Sequence, residues 1–229
     1  SYNQTVGERT ISAGYKAAAA YAGGKVIQDV GGGICQISST LYNAVLLANL
    51  EITDRSNHCF ETSYVPAGRD ATEKWGTVDF QFKNNRKYPI KIETTAGGGI
   101  ATAKIHGLKE ENEYEVVIQS KVTSYISRTT RYKNDSTMDE GKEVIEDNGF
   151  DGCNSETYKI LKLNGEVVSQ TLILRDSYDP LDRVIIRGTK KVVKPEQEVP
   201  VNKGNEEQEP TQEQNQTENQ EENNNKPNT

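Results

Sequence analysis

Histidine, cysteine, methionine, tryptophan and long apolar runs are all scarce in this chain of 229 residues, and each scarcity excludes something. Only two histidines and three cysteines are present, and no two of them stand at a recognisable ligand spacing, which argues against a metal centre and leaves no cofactor to propose. Three cysteines are too few for a disulfide framework, and the odd count leaves at least one free thiol or an intermolecular bridge. The longest apolar-rich stretch, Ala44 to Leu50, falls far short of the roughly 20 residues that a bilayer requires. The sequence starts at Ser1 without an initiator Met or a charged-then-apolar leader, so any signal or anchor is expected to lie upstream, removed or not included. No basic excess exists either: 27 Lys plus Arg face 34 Asp plus Glu, which argues against nucleic acid as a partner.

The negative charge is unevenly spread. Residues 194–229 hold nine Glu against three Lys, so six of the seven net negative charges fall there. This segment has no aromatic residue, no Leu, Ile or Phe, and much Gln, Asn and Pro. It cannot bury enough apolar surface to offset its chain entropy and is expected to be a disordered tail. The remaining chain is nearly neutral and long enough for one medium domain or two small ones.

The first region, 1–119, reads as α+β, with helices early and an antiparallel sheet late. The run Ala17 to Ala20 predicts a short helix. After Gly31-Gly32-Gly33, the residues Ile34, Ile37, Leu41, Val45 and Ala48 recur at helical spacing and predict a central helix from about Ile34 to Asn49 with one face in the core. Later, Val78, Phe80 and Phe82 alternate with polar residues, as do Ile90 and Ile92. Ile100 to Ile105 and Tyr114 to Ile118 add two more strands, separated by turn signals at Asn84-Asn85 and Gly97-Gly98-Gly99. The second region, 120–193, is almost all strand signal. Lys159 to Leu163 and Val167 to Leu174 flank Asn164-Gly165, a strong hairpin cue, and Val184 to Ile186 supplies a last strand. Few aromatics other than tyrosine sit here, so an extended all-β module is expected.

Cys35 carries the chemistry that stands out. It sits at a predicted helix start, where unpaired N–H groups and the partial positive charge of the helix favour a thiolate, and three glycines before it let a substrate approach the backbone. The same amides, with the Gln36 side chain, suit a tetrahedral oxyanion. His58, in a polar segment after the helix, is the candidate base, whereas His106 at a strand end reads as an edge residue. Arg69 and Asp70 are either a surface ion pair or working groups, Arg69 holding a substrate carboxylate and Asp70 orienting His58; Arg55 competes for the carboxylate. Cys59 lacks activating surroundings and reads as incidental, and Cys153 as a loop thiol. The plain alternative for Cys35 itself is a small packed hydrophobe.

At these residues the chain resembles the VanW domain family, on Gly31-Gly32-Gly33-Ile34-Cys35-Gln36-Ile37-Ser38-Ser39-Thr40-Leu41-Tyr42-Asn43, then Arg55, His58, Tyr64-Val65-Pro66, Gly68-Arg69-Asp70-Ala71, Gly76, Asp79, Phe82, Asn84 and Pro89-Ile90. The similarity runs from Ser1 to about Leu108. The second region is similar to a G-five domain, a β module of extracellular and cell-wall proteins, through Tyr132, Tyr158, Asn164 to Ser169 and Ile186 to Lys190. The resemblance implies an envelope protein of a Gram-positive bacterium, anchored by an N-terminal segment outside this chain and touching membrane only there. It further implies L,D-transpeptidation of peptidoglycan with Cys35 as nucleophile. Catalysis then falls to Cys35, His58 and Asp70, and substrate binding to Gly32, Gly33, Gln36, Ser38, Arg55, Tyr64 and Arg69. Stem peptides, and glycan strands through the β module, become the expected partners. Two rivals stay open: a cysteine peptidase trimming the same stems, and a noncatalytic wall-binding protein.

Overall fold

The computed structural model describes residues 1–22, 25–111 and 113–192. The acidic stretch 194–229, expected to be disordered, lies outside the described residues. Within these residues strands dominate, with two helices near the start. Among the described residues, no helix is long and apolar enough to cross a membrane.

Helix α1, Tyr2–Val6, is capped by Ser1, whose Oγ accepts the Gln4 N–H at 3.1 Å. Asn3 fixes its place: its N–H donates to Asp79 Oδ1 at 2.9 Å and its Nδ2 to the Val78 carbonyl at 2.9 Å. Strands β1 (Ala17–Ala22) and β2 (Lys25–Val30) form an antiparallel ribbon. The Ala17–Ala20 run is therefore strand, not the expected helix. Four alanines are too short to offset the cost of nucleating a helix, and pairing with Ile27 to Val30 satisfies the backbone instead.

Helix α2, Ile34–Leu47, is the central helix. It ends where Asn49 takes up a left-handed φ of 54°, a conformation that asparagine tolerates. Leu41, Tyr42, Val45 and Leu46 are buried with Tyr2, Leu50, Ala71 and Phe80, and Tyr42 meets Phe80 edge to face at 5.6 Å. Ile34, Ile37 and Ala48 line the margin of this core. The buried side of α2 also carries polar residues, Ser38 and Ser39, with Asn43 at its edge. Ser38 Oγ donates to the Ala71 carbonyl at 2.6 Å, Ser39 Oγ accepts the Ala71 N–H at 2.9 Å, and Asn43 Nδ2 reaches the Arg69 carbonyl at 2.7 Å. These bonds clamp residues 69–71 along the helix.

Strand β3 (Glu51–Asp54) pairs with β4 (Gln81–Lys83), and β5 (Lys91–Gly97) with β6 (Ile100–His106). The first region thus holds separate two-stranded pairs and not the single late sheet expected. The Val78 to Phe82 alternation yields only two strand residues, Gln81 and Phe82, because Val78 closes a tight turn on Lys74 and Phe80 is drawn into the core. The long connection from β3 to β4, residues 55–80, is what the fold uses to surround the start of α2.

The C-terminal strands make two three-stranded sheets, the all-β module expected. One has the order β11 (Glu166–Tyr178), β10 (Gly152–Leu163), β7 (Glu115–Ile126). The other has β8 (Thr130–Asp139), β12 (Arg183–Lys190), β9 (Glu143–Asp147), with β8 and β12 parallel. The β10–β11 hairpin turns at Asn164-Gly165, both with positive φ as expected. Cys153 is not the loop thiol expected. It lies in β10, fully buried beside Ala67 and Tyr178, because strand pairing on both sides turns it into a small second core.

Candidate active site

Two glycines shape the start of α2. A Cβ on Gly32 would lie 2.4 Å from the Ala18 carbonyl oxygen of β1, so only glycine fits there, and Gly33 caps the helix at φ 88°. Ile34 and Gln36 N–H turn back to the Gly31 and Gly33 carbonyls at 3.2 and 3.1 Å. The Cys35 amide lies between them in the helix's first turn.

Cys35 is half-buried. Its Sγ lies 3.5 Å from the Glu73 carbonyl and 3.8 Å from Thr72 Oγ1. His58 is within side-chain hydrogen-bonding reach. Burial resists ionisation of the thiol, but the His58 hydrogen bond and charge, aided by Thr72, outweigh it and hold Cys35 below the ordinary thiol range. The reverse holds for the imidazole. Burial disfavours its cation, yet hydrogen bonds to Asp70 and Cys35 prevail and lift His58 to about 9. The two shifts run in opposite directions and together favour transfer of the thiol proton to the ring.

Asp70 is 1% exposed and accepts from four donors. Its Oδ2 takes His58 Nδ1 at 2.6 Å and the His58 backbone N–H at 2.7 Å. Its Oδ1 takes Arg55 Nη2 at 3.0 Å and the Tyr178 hydroxyl at 2.5 Å. Burial alone would raise this carboxyl; the hydrogen bonds from His58 and Tyr178 and the Arg55 charge keep it low and ionised. Asp70 is accordingly not half of a surface pair with Arg69. Its ion-pair partner is Arg55, whose Nη1 also bonds Asp176 Oδ1 at 2.5 Å and whose guanidinium lies 5.3 Å over the Tyr42 ring.

The other expected site residues divide. Gln36 is exposed beside Cys35, and the Tyr64 hydroxyl stands 3.3 Å from His58 Nε2 with its ring 37% exposed, so both are open to solvent next to the cysteine and histidine. Burial raises Tyr64 to about 12 and keeps the phenol neutral. Gly32 and Ser38 instead serve packing: Gly32 presses on β1 and Ser38 is fully buried, bonded to Ala71. Arg55 is committed to two carboxylates, and Arg69 Nε to Asn43 Oδ1 at 2.5 Å. Among the described residues, no group of three or more His, Cys, Asp or Glu is arranged to hold a metal ion.

Sequence reasoning missed Thr72, Asp176 and Tyr178. The cue for the last two was present but slight: an acid and a tyrosine two apart, hence on one face of a strand, in the sequence Arg175-Asp176-Ser177-Tyr178.

Comparison with known proteins places these features. Residues 1–106 match the family described as VanW like protein, and residues 117–190 match the G5 domain. The uncharacterized protein YoaR of Bacillus subtilis (strain 168) is 50% identical over 99 residues, which cover 43% of this chain and 33% of that protein. The chain therefore spans about one third of this relative's length. Among solved structures, the IgA1 protease G5 domain is 23% identical and covers 35% of this chain and 98% of its own, with a TM-score of 0.25. The G5 domain of HP0197 is 16% identical, covering 33% and 99%, with a TM-score of 0.21. This chain carries a VanW domain followed by a G5 domain, in that order.

Proposed function

We propose that the protein is a cell-wall cysteine acyltransferase, an L,D-transpeptidase that joins peptidoglycan stem peptides by 3-3 cross-links. The observation that supports this reading is the line Cys35, His58, Asp70 at the open start of α2, with the Asp70 carboxylate 2.6 Å from His58 Nδ1. The cell-envelope location belongs to the same proposal and draws on the two families.

The electrostatics favour the first step of the expected chemistry. His58 takes the thiol proton, a transfer helped by the hydrogen bonds that raise the imidazole to about 9 and hold the thiol below its ordinary range. The Cys35 thiolate attacks the carbonyl carbon that joins the third stem residue to D-alanine, and the oxygen gathers negative charge near the Cys35 amide at the helix start. As the C–N bond breaks, His58 gives its proton to the departing amine and D-alanine leaves, with the stem held as a thioester. Neutral His58 then takes a proton from the side-chain amine of a second stem as that amine attacks the thioester. The new amide forms, the thiolate departs and the imidazolium is restored.

Donor-stem binding was expected from Arg55 or Arg69, but both guanidiniums are engaged within the protein. Gln36 and Tyr64 are the exposed polar groups beside the thiol and take that role in this proposal. The G5 domain is proposed to hold the enzyme on the wall through glycan.

Incubation with disaccharide tetrapeptide, followed by mass spectrometry, tests the function. The expected result is a cross-linked dimer, free D-alanine and an acyl adduct on Cys35, all lost in Cys35→Ala. Absence of dimer and adduct would sink the reading, and monomer trimmed without dimer would convert it to a peptidase.

A further inference from the structure

The end of strand β11 belongs to the G5 domain, yet it fastens both segments that carry the site. Asn57 Nδ2, next to His58, donates to the Ser177 carbonyl at 2.8 Å, and the Asp179 N–H donates to the Cys59 carbonyl at 2.7 Å. The Tyr178 hydroxyl is used twice, accepting the Gly68 N–H at 2.7 Å and donating to Asp70 at 2.5 Å. Three consecutive residues, 177–179, thus grip the chain on either side of His58 and just before Asp70. The approach is close enough that a Cβ on Gly68 would lie 2.2 Å from Thr157 Oγ1 of β10. Asp176 completes the set by holding Arg55, the other donor to Asp70 Oδ1. Tyr178 is fully buried and Asp176 is 9% exposed, so neither meets substrate.

We propose that Tyr178 and Asp176 are positioning residues for the thiolate–imidazolium pair, Tyr178 acting through Asp70 and Asp176 through Arg55, so that the VanW site is completed only by the G5 domain. This rests on Cys35 and His58 being the reacting pair. A carboxylate with two oxygens and four donors has one orientation. Removing the Tyr178 hydroxyl frees it to turn, and His58 then loses the aim that keeps its proton toward the sulfur. The charged and titratable groups facing His58 and Asp70 are Cys35 from α2, Arg55 and Tyr64 from the β3–β4 connection, and Asp176 and Tyr178 from β11.

The test uses the full chain and reads alkylation of the Cys35 peptide by iodoacetamide across pH, alongside cross-linking turnover. Tyr178→Phe keeps the ring and removes one donor. The expected result is a fall of about tenfold in alkylation at neutral pH, a titration midpoint shifted toward the ordinary thiol value, and a lower kcat at unchanged KM. A purely structural role would lower the melting temperature and leave the midpoint where it was, and that outcome overturns the proposal. Asp176→Asn is the second variant, expected to move the midpoint in the same direction, and it carries the test if Tyr178→Phe does not fold. Should Cys35→Ala retain cross-linking while the midpoints still move, the transpeptidase reading fails and the positioning role stands. Should Cys35→Ala abolish cross-linking while neither midpoint moves, the positioning role fails alone.

Discussion

The ring Nδ1 and the backbone N–H of His58 converge on a single oxygen, Oδ2 of Asp70, at 2.6 and 2.7 Å. One carboxylate oxygen therefore fixes both the place of the residue and the tautomer of its ring. With Nδ1 bound to the acid, Nε2 is the nitrogen that faces Tyr64 and the thiol side.

The thiol should be reactive below the pH at which a free cysteine ionises. Alkylation of Cys35 by iodoacetamide is expected to reach half its maximum below pH 9, while Cys153, pushed up to about 11 by burial and by the neighbouring Glu61 carboxylate, reacts far more slowly. Peptide mapping after a brief pulse at pH 7 measures the ratio, and equal labelling of the two would contradict the assignment.

Asp70→Asn should separate orientation from charge. The amide retains an acceptor oxygen but cannot balance an imidazolium, so His58 is expected to fall from about 9 toward its ordinary 6.5. The NMR titration of the His58 ring reads this directly. Arg55 would also lose one of its two buried carboxylate partners, at a cost of about 3 kcal/mol in stability, measurable by urea unfolding.

Stability should depend on pH through His58 with a defined sign. Its native value is raised, so the stabilisation it brings is fully present below about 6.5 and is lost as the pH rises through about 9. The gap in melting temperature between the wild-type protein and His58→Gln should thus be widest near pH 6 and close by about pH 10. A gap that widened with rising pH would mean that the ring is neutral in the native protein.

The two glycines before Ile34 should not be equivalent. Gly33→Ala meets no atom within 4 Å and costs only the strain of its positive φ, about 1–2 kcal/mol. Gly32→Ala drives a methyl into the Ala18 carbonyl at 2.4 Å, where backbone must move, and is expected to cost more and to displace β1 from the helix start. Denaturant midpoints rank them, and a larger loss for Gly33→Ala would refute this packing.

The legible parts of the sequence were those governed by local pattern. The α2 periodicity, the Asn164-Gly165 hairpin and the position of Cys35 at a helix start follow from spacing and turn chemistry within a few residues. The Ala17–Ala20 run misled because helix propensity is weak beside the pairing offered by β2. The roles of the arginines were illegible for a different reason. Arg55 and Arg69 read as candidates for a substrate carboxylate, with a surface pair to Asp70 as the alternative for Arg69, and only contacts with Asp176, Asp70 and Asn43 reveal how they are occupied. Tyr178 was hidden most completely, since its partner lies 108 residues away.

That separation also has a meaning in time. Translation proceeds from the N-terminus, so Asp70 is synthesised about 5–20 seconds before Tyr178, given the 108 residues that separate them, and Cys35 and His58 earlier still. A nascent chain consequently carries the thiol, the imidazole and the carboxylate without the hydroxyl that fixes the carboxylate. On the proposed role of Tyr178, reactivity matures last, when the C-terminal hairpin docks, and an unfinished or truncated chain is kept from presenting a fully primed thiolate.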